Sequence, residues 1–286
     1  MERGQLILCA TPIGNLKDIT LRALDALREA DYIAAEDTRH TLKLLNHYDI
    51  KKPLISYHRH NEFKRGQQIL ELVEKGHNVV LVTDAGMPGI SDPGAQIVKE
   101  ALEMGIIPTV LPGATAFVSA LVISGICTER FVFEGFLPKK RSDRSSRLKD
   151  LAKEERTIIF YETPHRIKSI LKEFLDIFGE DRPVAIVREI TKLHEELIRG
   201  TLSEVLKEVE KRNIKGEIVV VLEGASEDIA QVNFDMSVKE HILKYMQDGL
   251  IKKDAIERVS KDRDMPKSMV YEHSTDLPIS IKREQP

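Results

Sequence analysis

Aliphatic residues gather in short runs that alternate with stretches of helical spacing along most of the chain. Gln5–Ala10, Tyr32–Ala35, Leu54–Tyr57, Val79–Val82 and Thr109–Leu111 predict strands. Between them, Leu21, Leu24 and Leu27 fall on one helical face behind the capping residues Asp18 to Thr20. Leu42, Leu44 and Leu45 mark a second helix, and others are predicted around 65–75, 95–104 and 115–124. Strands alternating with helices in this way predict a mostly parallel sheet with helices on its faces.

After Gly125 the pattern restarts. Phe131–Phe133, Thr157–Tyr161, Val184–Arg188, Glu195–Arg199 and Glu217–Leu222 predict strands, with helices near 164–178 and 201–211. Only a short polar stretch separates 184–188 from 195–199, so that pair is expected to be an antiparallel hairpin. The expected organisation is an α/β domain over 1–124, a second over 125–228, and a small helical unit with its tail over 229–286. Within that unit, residues 235–273 have the outline of a helix-turn-helix but carry eight acidic and eight basic side chains. A helix that reads nucleic acid sits on a basic surface, so packing or protein contact is the better expectation for this unit. From Ser274, with Pro278 and Pro286 and little apolar pattern, the tail is expected to be mobile.

The most informative segment is Thr83–Gly94, directly behind the apolar run Asn78–Val82. It holds three glycines and two prolines beside the carboxylate of Asp84. Glycine lets backbone approach a ligand, proline fixes loop shape, and small molecules bind at the carboxyl ends of strands in α/β sheets. Ala10–Gly14 and Leu111–Phe117 are two further loops of this kind. None of the three is a GxGxxG and no GxxxxGK[ST] occurs, which argues for a ligand without a pyrophosphate. S-adenosylmethionine has that profile, and a carboxylate such as Asp84 would favour its cationic parts.

Composition narrows the partners. The chain has 286 residues, 42% of them hydrophobic, which is enough for one large core or two. A net charge of −3 provides no global attraction to nucleic acid or to membrane, so a polyanion would need a local basic patch. Pro138–Lys149 is the best such patch, with six basic residues against Asp143. It reads either as a solvated linker leading into a charged helix start or as a phosphate-gripping loop over a cleft, with Lys139, Lys140 and Arg141 as its leading contacts. Arg39, Arg59 and Arg166 could add to it. Cys9 and Cys127 are isolated, predicting two small buried residues in a reducing cytoplasm rather than a disulfide or zinc site. No run reaches the roughly 18 apolar residues of a membrane span, so a soluble cytoplasmic protein is expected.

Seven motifs then occur together in order: Ala10–Thr20, Ala35–Arg39, Ser56–Glu62, Thr83–Gly94, Pro112–Ala116, Phe160–Arg166 and Arg188–Lys192. In these the chain resembles the bacterial ribosomal RNA small subunit methyltransferase I family, within the tetrapyrrole methylase superfamily. The resemblance covers about residues 5–224, and Thr275–Pro286 match nothing in it. It implies two α/β domains of the tetrapyrrole methylase type with a ligand cleft between them, and a homodimer. The implied activity is S-adenosylmethionine-dependent 2′-O-methylation of a cytidine ribose in small-subunit ribosomal RNA, so the implied partner is that RNA or a ribosomal subunit. Position by position, it places cofactor contacts at Pro12, at Asp84, Ala85, Gly86 and Met87, at Ala114 and Thr115, and less sharply at Tyr161 and the backbone of Glu217 to Val219.

Methyl transfer to a ribose hydroxyl benefits from a base that removes the proton as the bond forms. Strand-end candidates are Asp37, His58, His60, Glu189 and, were burial to lower its pKa, Lys192. The expectation settles on Asp37, His58 and Glu189. His58 and His60 would share one face of a strand near Glu62, but no further ligand cluster accompanies them and no metal is expected. Two other readings compete: a methyltransferase acting on a tetrapyrrole carbon, which would not need an exposed basic stretch, and a non-catalytic ribosome-binding adaptor, which would not bind the cofactor.

Overall fold

The computed structural model describes residues 3–225, 236–263 and 265–278. The chain divides into two compact units, Met1–Glu223 and Gly224–Pro286. The first carries two five-stranded sheets.

The first sheet has strands β1 (Leu6–Cys9), β2 (Tyr32–Ala35), β3 (Leu54–Ser56), β4 (Val79–Val82) and β5 (Thr109–Leu111), in the order β3-β2-β4-β1-β5. Every pairing is parallel, as the alternation with helices requires. The helices are α1 (Leu21–Glu29), α2 (Thr38–His47), α3 (Glu62–Glu74), α4 (Ala95–Glu103) and α5 (Ala116–Ser124). Successive strand residues point to opposite faces, and both faces are covered. Leu6, Leu8, Val79 and Leu81 pack with Ile69, Leu70 and Val73 of α3 and Ile97 of α4. Cys9, Ile33, Val80 and Val82 pack with Leu24 and Leu27 of α1 and Leu45 of α2. This double burial is why the strands read as unbroken aliphatic runs, each such side chain contributing about 1.5–3 kcal/mol on leaving water. Thr20 caps α1, its hydroxyl accepting from the Ala23 N–H at 3.1 Å.

The second sheet has strands β6 (Phe131–Phe136), β7 (Thr157–Glu162), β8 (Pro183–Arg188), β9 (Glu196–Thr201) and β10 (Ile218–Leu222), in the order β6-β7-β10-β8-β9. The expected β8–β9 hairpin is antiparallel, and β10 runs antiparallel to both β7 and β8. Strand β6 extends beyond the expected Phe133, because a bulge between Phe133 and Gly135 lets pairing resume with Gly135 at φ 65°. One face of the sheet packs on α6 (Arg141–Leu151), α7 (Ile167–Phe178) and α8 (Leu202–Glu210). The other face is covered by α5, whose Ala120 and Leu121 pack with Ile159, Val187, Val219 and Val221. A helix that follows the first sheet in sequence thus closes the second, and both sheets belong to one compact unit.

The second unit contains α9 (Val238–Gln247), α10 (Lys252–Asp262) and α11 (Lys267–Glu272), packed around Ile242, Met246, Ile256, Val259 and Val270. A capping box of Ser237 and Glu240 opens α9. Mobility was expected from Ser274, but Ser274 is fully buried and its hydroxyl donates to the Tyr271 carbonyl at 2.8 Å. The Leu277 carbonyl accepts from Lys252 Nζ at 2.8 Å. Residues 274–278 therefore belong to the helical unit, and the rest of the tail, from 279 onward, lies outside the described residues.

Candidate functional site

The loops at the carboxyl ends of β1, β4 and β5 meet at the carboxyl end of the first sheet, and short backbone contacts hold them together. The Thr11 N–H donates to the Gly86 carbonyl at 2.9 Å, and the Gly86 N–H returns a bond to Thr11 at 3.1 Å. The Thr11 hydroxyl donates to the Thr83 carbonyl at 3.2 Å. Gly86 has φ 80°, which side-chain-bearing residues rarely adopt, and a Cβ there would stand 3.4 Å from Ile13 Cγ2. At Gly113 a Cβ would lie 2.8 Å from that of Ala10, so glycine is what lets the β5 loop approach β1.

These loops form one wall of a cavity of about 300 Å³. Ile13, Ala85, Gly86, Met87, Ile90 to Asp92, Thr115 and Ala116 come from the first sheet's side. Phe136, Tyr161 to Pro164, Val187, Ile190 and Gly216 to Val219 come from the second. Tyr161 meets Phe133 and Phe136 edge to face, with ring centroids 5.0 and 5.5 Å away, and burial pushes its hydroxyl up to about 12, so it stays protonated. Apolar walls with a few convergent polar groups suit a small organic ligand. Eight of the expected cofactor contacts, Ala85, Gly86, Met87, Thr115, Tyr161 and Glu217 to Val219, line this cavity. Pro12 and Asp84 instead line a neighbouring pocket of about 120 Å³ with Thr41 and Lys43. The Ala114 carbonyl faces Gly86, 3.7 Å from where its Cβ would be.

The three expected bases stand outside the cavity wall. Asp37 caps α2 and grips Arg39 with both oxygens, at 3.1 Å to Nε and 2.7 Å to Nη2. Those hydrogen bonds hold its carboxyl well below the usual range. Glu189 accepts from Lys192 Nζ and from the Glu217 N–H, both at 2.9 Å, and the Lys192 bond chiefly lowers its pKa. His58 lies 3.1 Å from the side-chain nitrogen of Asn61 through Nε2, while its Nδ1 is buried. The rings of His58 and His60 meet at 5.9 Å. Among the described residues, no group of three or more His, Cys, Asp or Glu is placed to hold a metal ion.

Asp92, a residue the sequence did not single out, does line the cavity. Burial first, and then the charges of Glu36 and Asp84, push its carboxyl up to about 6, against the opposing pull of Arg59. Burial and Asp84 raise Glu36 as well. The only available sequence signal was its position in the Thr83–Gly94 segment.

The basic stretch is a helix rather than a loop. Arg141–Leu151 form α6, leaving only a short connection from the end of β6. Arg144 is buried in a fork with Glu173, and Arg147 forms a second fork with Glu134 at 3.0 and 2.6 Å. Lys140 pairs with Asp143 at 3.2 Å. Lys139 and Arg141 are exposed at the helix start, and the Arg39 side chain is 88% exposed. Arg166 is engaged by the buried Glu162 at 3.2 Å, and Arg59 by the Ser91 carbonyl. Cys9 is buried as expected, with its thiol pushed up to about 12, whereas Cys127 is exposed beyond α5.

A parallel sheet whose strand-end loops face a second, mixed sheet across an apolar cavity is the architecture of the tetrapyrrole methylases. The family described as Tetrapyrrole (Corrin/Porphyrin) Methylases matches residues 5–206. Among solved structures, a uroporphyrin-III C-methyltransferase from Thermus thermophilus complexed with S-adenosylhomocysteine superposes with a TM-score of 0.56 at 19% identity, covering 77% of this chain and 97% of that one. The cobalamin biosynthetic enzyme cobalt precorrin-4 methyltransferase gives 0.56 at 20% identity, over 77% and 94% of the two chains. The chain is 45% identical over 275 residues to the ribosomal RNA small subunit methyltransferase I of Bacillus subtilis, spanning 95% of this chain and 94% of that protein. It is 52% identical over 221 residues to the protein of the same name from Thermotoga maritima, spanning 77% and 99%. The chain belongs to the ribosomal RNA small subunit methyltransferase I family, within the tetrapyrrole methylases.

Proposed function

We propose that this protein methylates the 2′-hydroxyl of a cytidine ribose in small-subunit ribosomal RNA, using S-adenosylmethionine. The observation that carries this reading is the identity to ribosomal RNA methyltransferases over nearly the whole of both chains. The cavity supports it. Backbone at Ala85 to Met87 and Gly216 to Val219, with Thr115 and Tyr161, would hold the cofactor between Ile13 and Ile190. The positive φ of Gly86 and the tight approach at Gly113 give the cradle its shape. The cofactor, when bound, supplies a methyl group activated by its sulfonium.

The protein's task is then to orient the ribose oxygen in line, exclude water and take up a proton. Asp84 and Glu36 make this end of the sheet acidic, which favours a cationic ligand over a pyrophosphate. Lys139, Lys140, Arg141 and Arg39 are the proposed phosphate contacts, and such contacts position RNA without reading its sequence.

The proposed assembly is a homodimer built on α5 and the sheet edge beside it. Helix α5 is apolar apart from Ser119 and Ser124, and after covering the second sheet it still exposes Val118, Val122 and Ile123 at 43%, 68% and 40%. Val110 on the edge strand β5 is also exposed. Among the described residues no helix is long and apolar enough to cross a membrane, and with a ribosomal RNA substrate the proposed location is the cytoplasm.

The deciding experiment is methyl transfer from labelled S-adenosylmethionine to unmodified small ribosomal subunits, with the product nucleotide identified by mass. A single 2′-O-methylcytidine is expected. Tight cofactor binding without transfer would point instead to a small-molecule acceptor, and no cofactor binding to an adaptor.

A further inference from the structure

The smaller cavity, of about 120 Å³, has the room of about four waters, or of one six-membered heterocycle. The loops behind β1 and β4 line both cavities: Ile13 and Ala85 border the larger, Pro12 and Asp84 the smaller. Helix α2 adds Thr41 and Leu44 to the smaller one. Three hydroxyls border this space. Thr11 donates to the Thr83 carbonyl at 3.2 Å, and Thr83 to the Ala85 carbonyl at 3.4 Å. The third is different: Thr41 is 2% exposed, and its hydroxyl has no hydrogen-bond partner among the described residues. A buried hydroxyl without a partner costs stability, and one that borders a cavity marks a contact reserved for a ligand.

Asp84 offers the complementary group. Its Oδ1 accepts from the Asp37 N–H at 3.2 Å, while its Oδ2 makes no hydrogen bond among the described residues. Pro12, Leu16 and Leu44 give the pocket apolar faces on which a flat ring can pack. The Tyr48 hydroxyl donates to the Leu16 carbonyl at 2.6 Å and holds that turn in place. One acceptor, one hydroxyl and apolar faces suit a heterocycle that carries an amino group next to a ring nitrogen. Cytosine presents that pair at N4 and N3.

We propose that this pocket receives the base of the nucleotide being methylated, with Asp84 accepting from the N4 amino group and Thr41 donating to N3. This rests on the ribose methyltransferase reading above. The base and the reacting hydroxyl sit on neighbouring ribose carbons, so a pocket for the base must adjoin the cavity that holds the methyl donor. Uracil has a carbonyl oxygen where cytosine has its amino group, and would set that oxygen against the Asp84 carboxylate. Phosphate contacts position the RNA, whereas Asp84 and Thr41 choose the base.

The test measures kcat/KM on small ribosomal subunits that carry cytidine or uridine at the modified position, for wild type, Asp84→Asn and Thr41→Val. Wild type should prefer cytidine by about 100-fold. D84N, whose amide can donate to the uracil oxygen, should bring that ratio below about tenfold. T41V should lose about tenfold on the cytidine substrate, mainly through KM, while cofactor affinity stays within about threefold and stability to urea does not fall. A wild type without the preference, a D84N ratio within about threefold of wild type, or unaltered T41V kinetics overturns the proposal. So does a T41V protein less stable than wild type, because the hydroxyl would then have a partner within the fold. A second readout needs no turnover: with S-adenosylhomocysteine bound, the Thr41 methyl resonance should shift on adding cytidine and not on adding uridine. Equal shifts, or none, overturn the proposal even where D84N fails to fold. A wild type that binds cytidine in this way yet makes no 2′-O-methylcytidine overturns the underlying reading instead.

Discussion

Arg144 and Glu173 form a two-bonded fork, Nε to Oε2 at 2.9 Å and Nη2 to Oε1 at 2.7 Å, that ties α6 to α7. The same guanidinium donates to the carbonyls of Pro138 and Lys139 at 3.1 and 2.9 Å, so it also fixes the connection from β6. Both side chains are mostly buried, at 10% and 17% exposure. Arg144→Ala would strand Glu173 and two carbonyls, and should cost about 3 kcal/mol in urea unfolding. A loss below about 0.5 kcal/mol would place the arginine among ordinary surface charges.

Lys139 and Arg141, at the exposed start of the same helix, should behave oppositely. Lys139→Ala with Arg141→Ala should leave stability within about 0.5 kcal/mol. The double variant should weaken RNA binding and reduce the slope of log affinity against log salt by about 1–2. An unchanged slope would rule out direct phosphate contact.

The sequence made one half of this basic stretch legible and hid the other. Its charge was plain, but its helix was not, because the inward stripe of α6 is Arg144, Leu148 and Leu151, and an arginine in such a stripe masks the apolar period. The strands were legible because burial on both faces leaves no polar position to break them, as in Val79–Val82. Strand β6 was cut short in the reading because Glu134 and Gly135 break its pattern at a bulge. The cofactor loops stood out through their glycines and prolines. Asp92 did not, since its environment comes from Glu36, Asp84 and Arg59, which no local spacing connects to it. Cys127 was misjudged for a related reason: its exposure depends on what packs beyond α5.

Gly14 packs directly against the segment that follows β8. A Cβ there would lie 2.5 Å from Lys192 Cγ and 2.8 Å from Thr191 Oγ1. That segment has little slack, since Glu189 and Thr191 already have φ of 51° and 68°. Gly14→Ala should therefore displace Ile13 and Ile190 from the cavity walls, costing about 1–2 kcal/mol of stability. Cofactor affinity should fall about tenfold, which corresponds to about 1.4 kcal/mol. Calorimetry showing unaltered affinity would mean that the two walls move independently of this contact.

Val122 is the most exposed of the apolar residues on α5. Val122→Glu would place a charge at the centre of the proposed dimer interface without touching the face that packs on the second sheet. Sedimentation should show a dimer in the wild type and a monomer in the variant, with the fold unchanged by circular dichroism. A variant that remains dimeric would move the interface elsewhere.

The Asp92 environment should also be measurable as a cost to the fold. Folding raises its carboxyl from 3.8 to about 6, so between those values the native state binds more protons than the unfolded chain. Stability is therefore lost as pH rises through that window, and the whole penalty is present at pH 7. The shift corresponds to about 3 kcal/mol, which partial exposure and solvent screening reduce to about 1 kcal/mol. Asp92→Asn, which carries no charge to desolvate, should be more stable than wild type by about that amount at pH 7 and nearly equal to it at pH 4. Urea unfolding at the two pH values reads the difference directly. Equal stabilities at both would mean that the carboxylate is solvated well enough to keep its ordinary pKa, whereas a gain confined to neutral pH would mark a site that gives up stability for a poised charge.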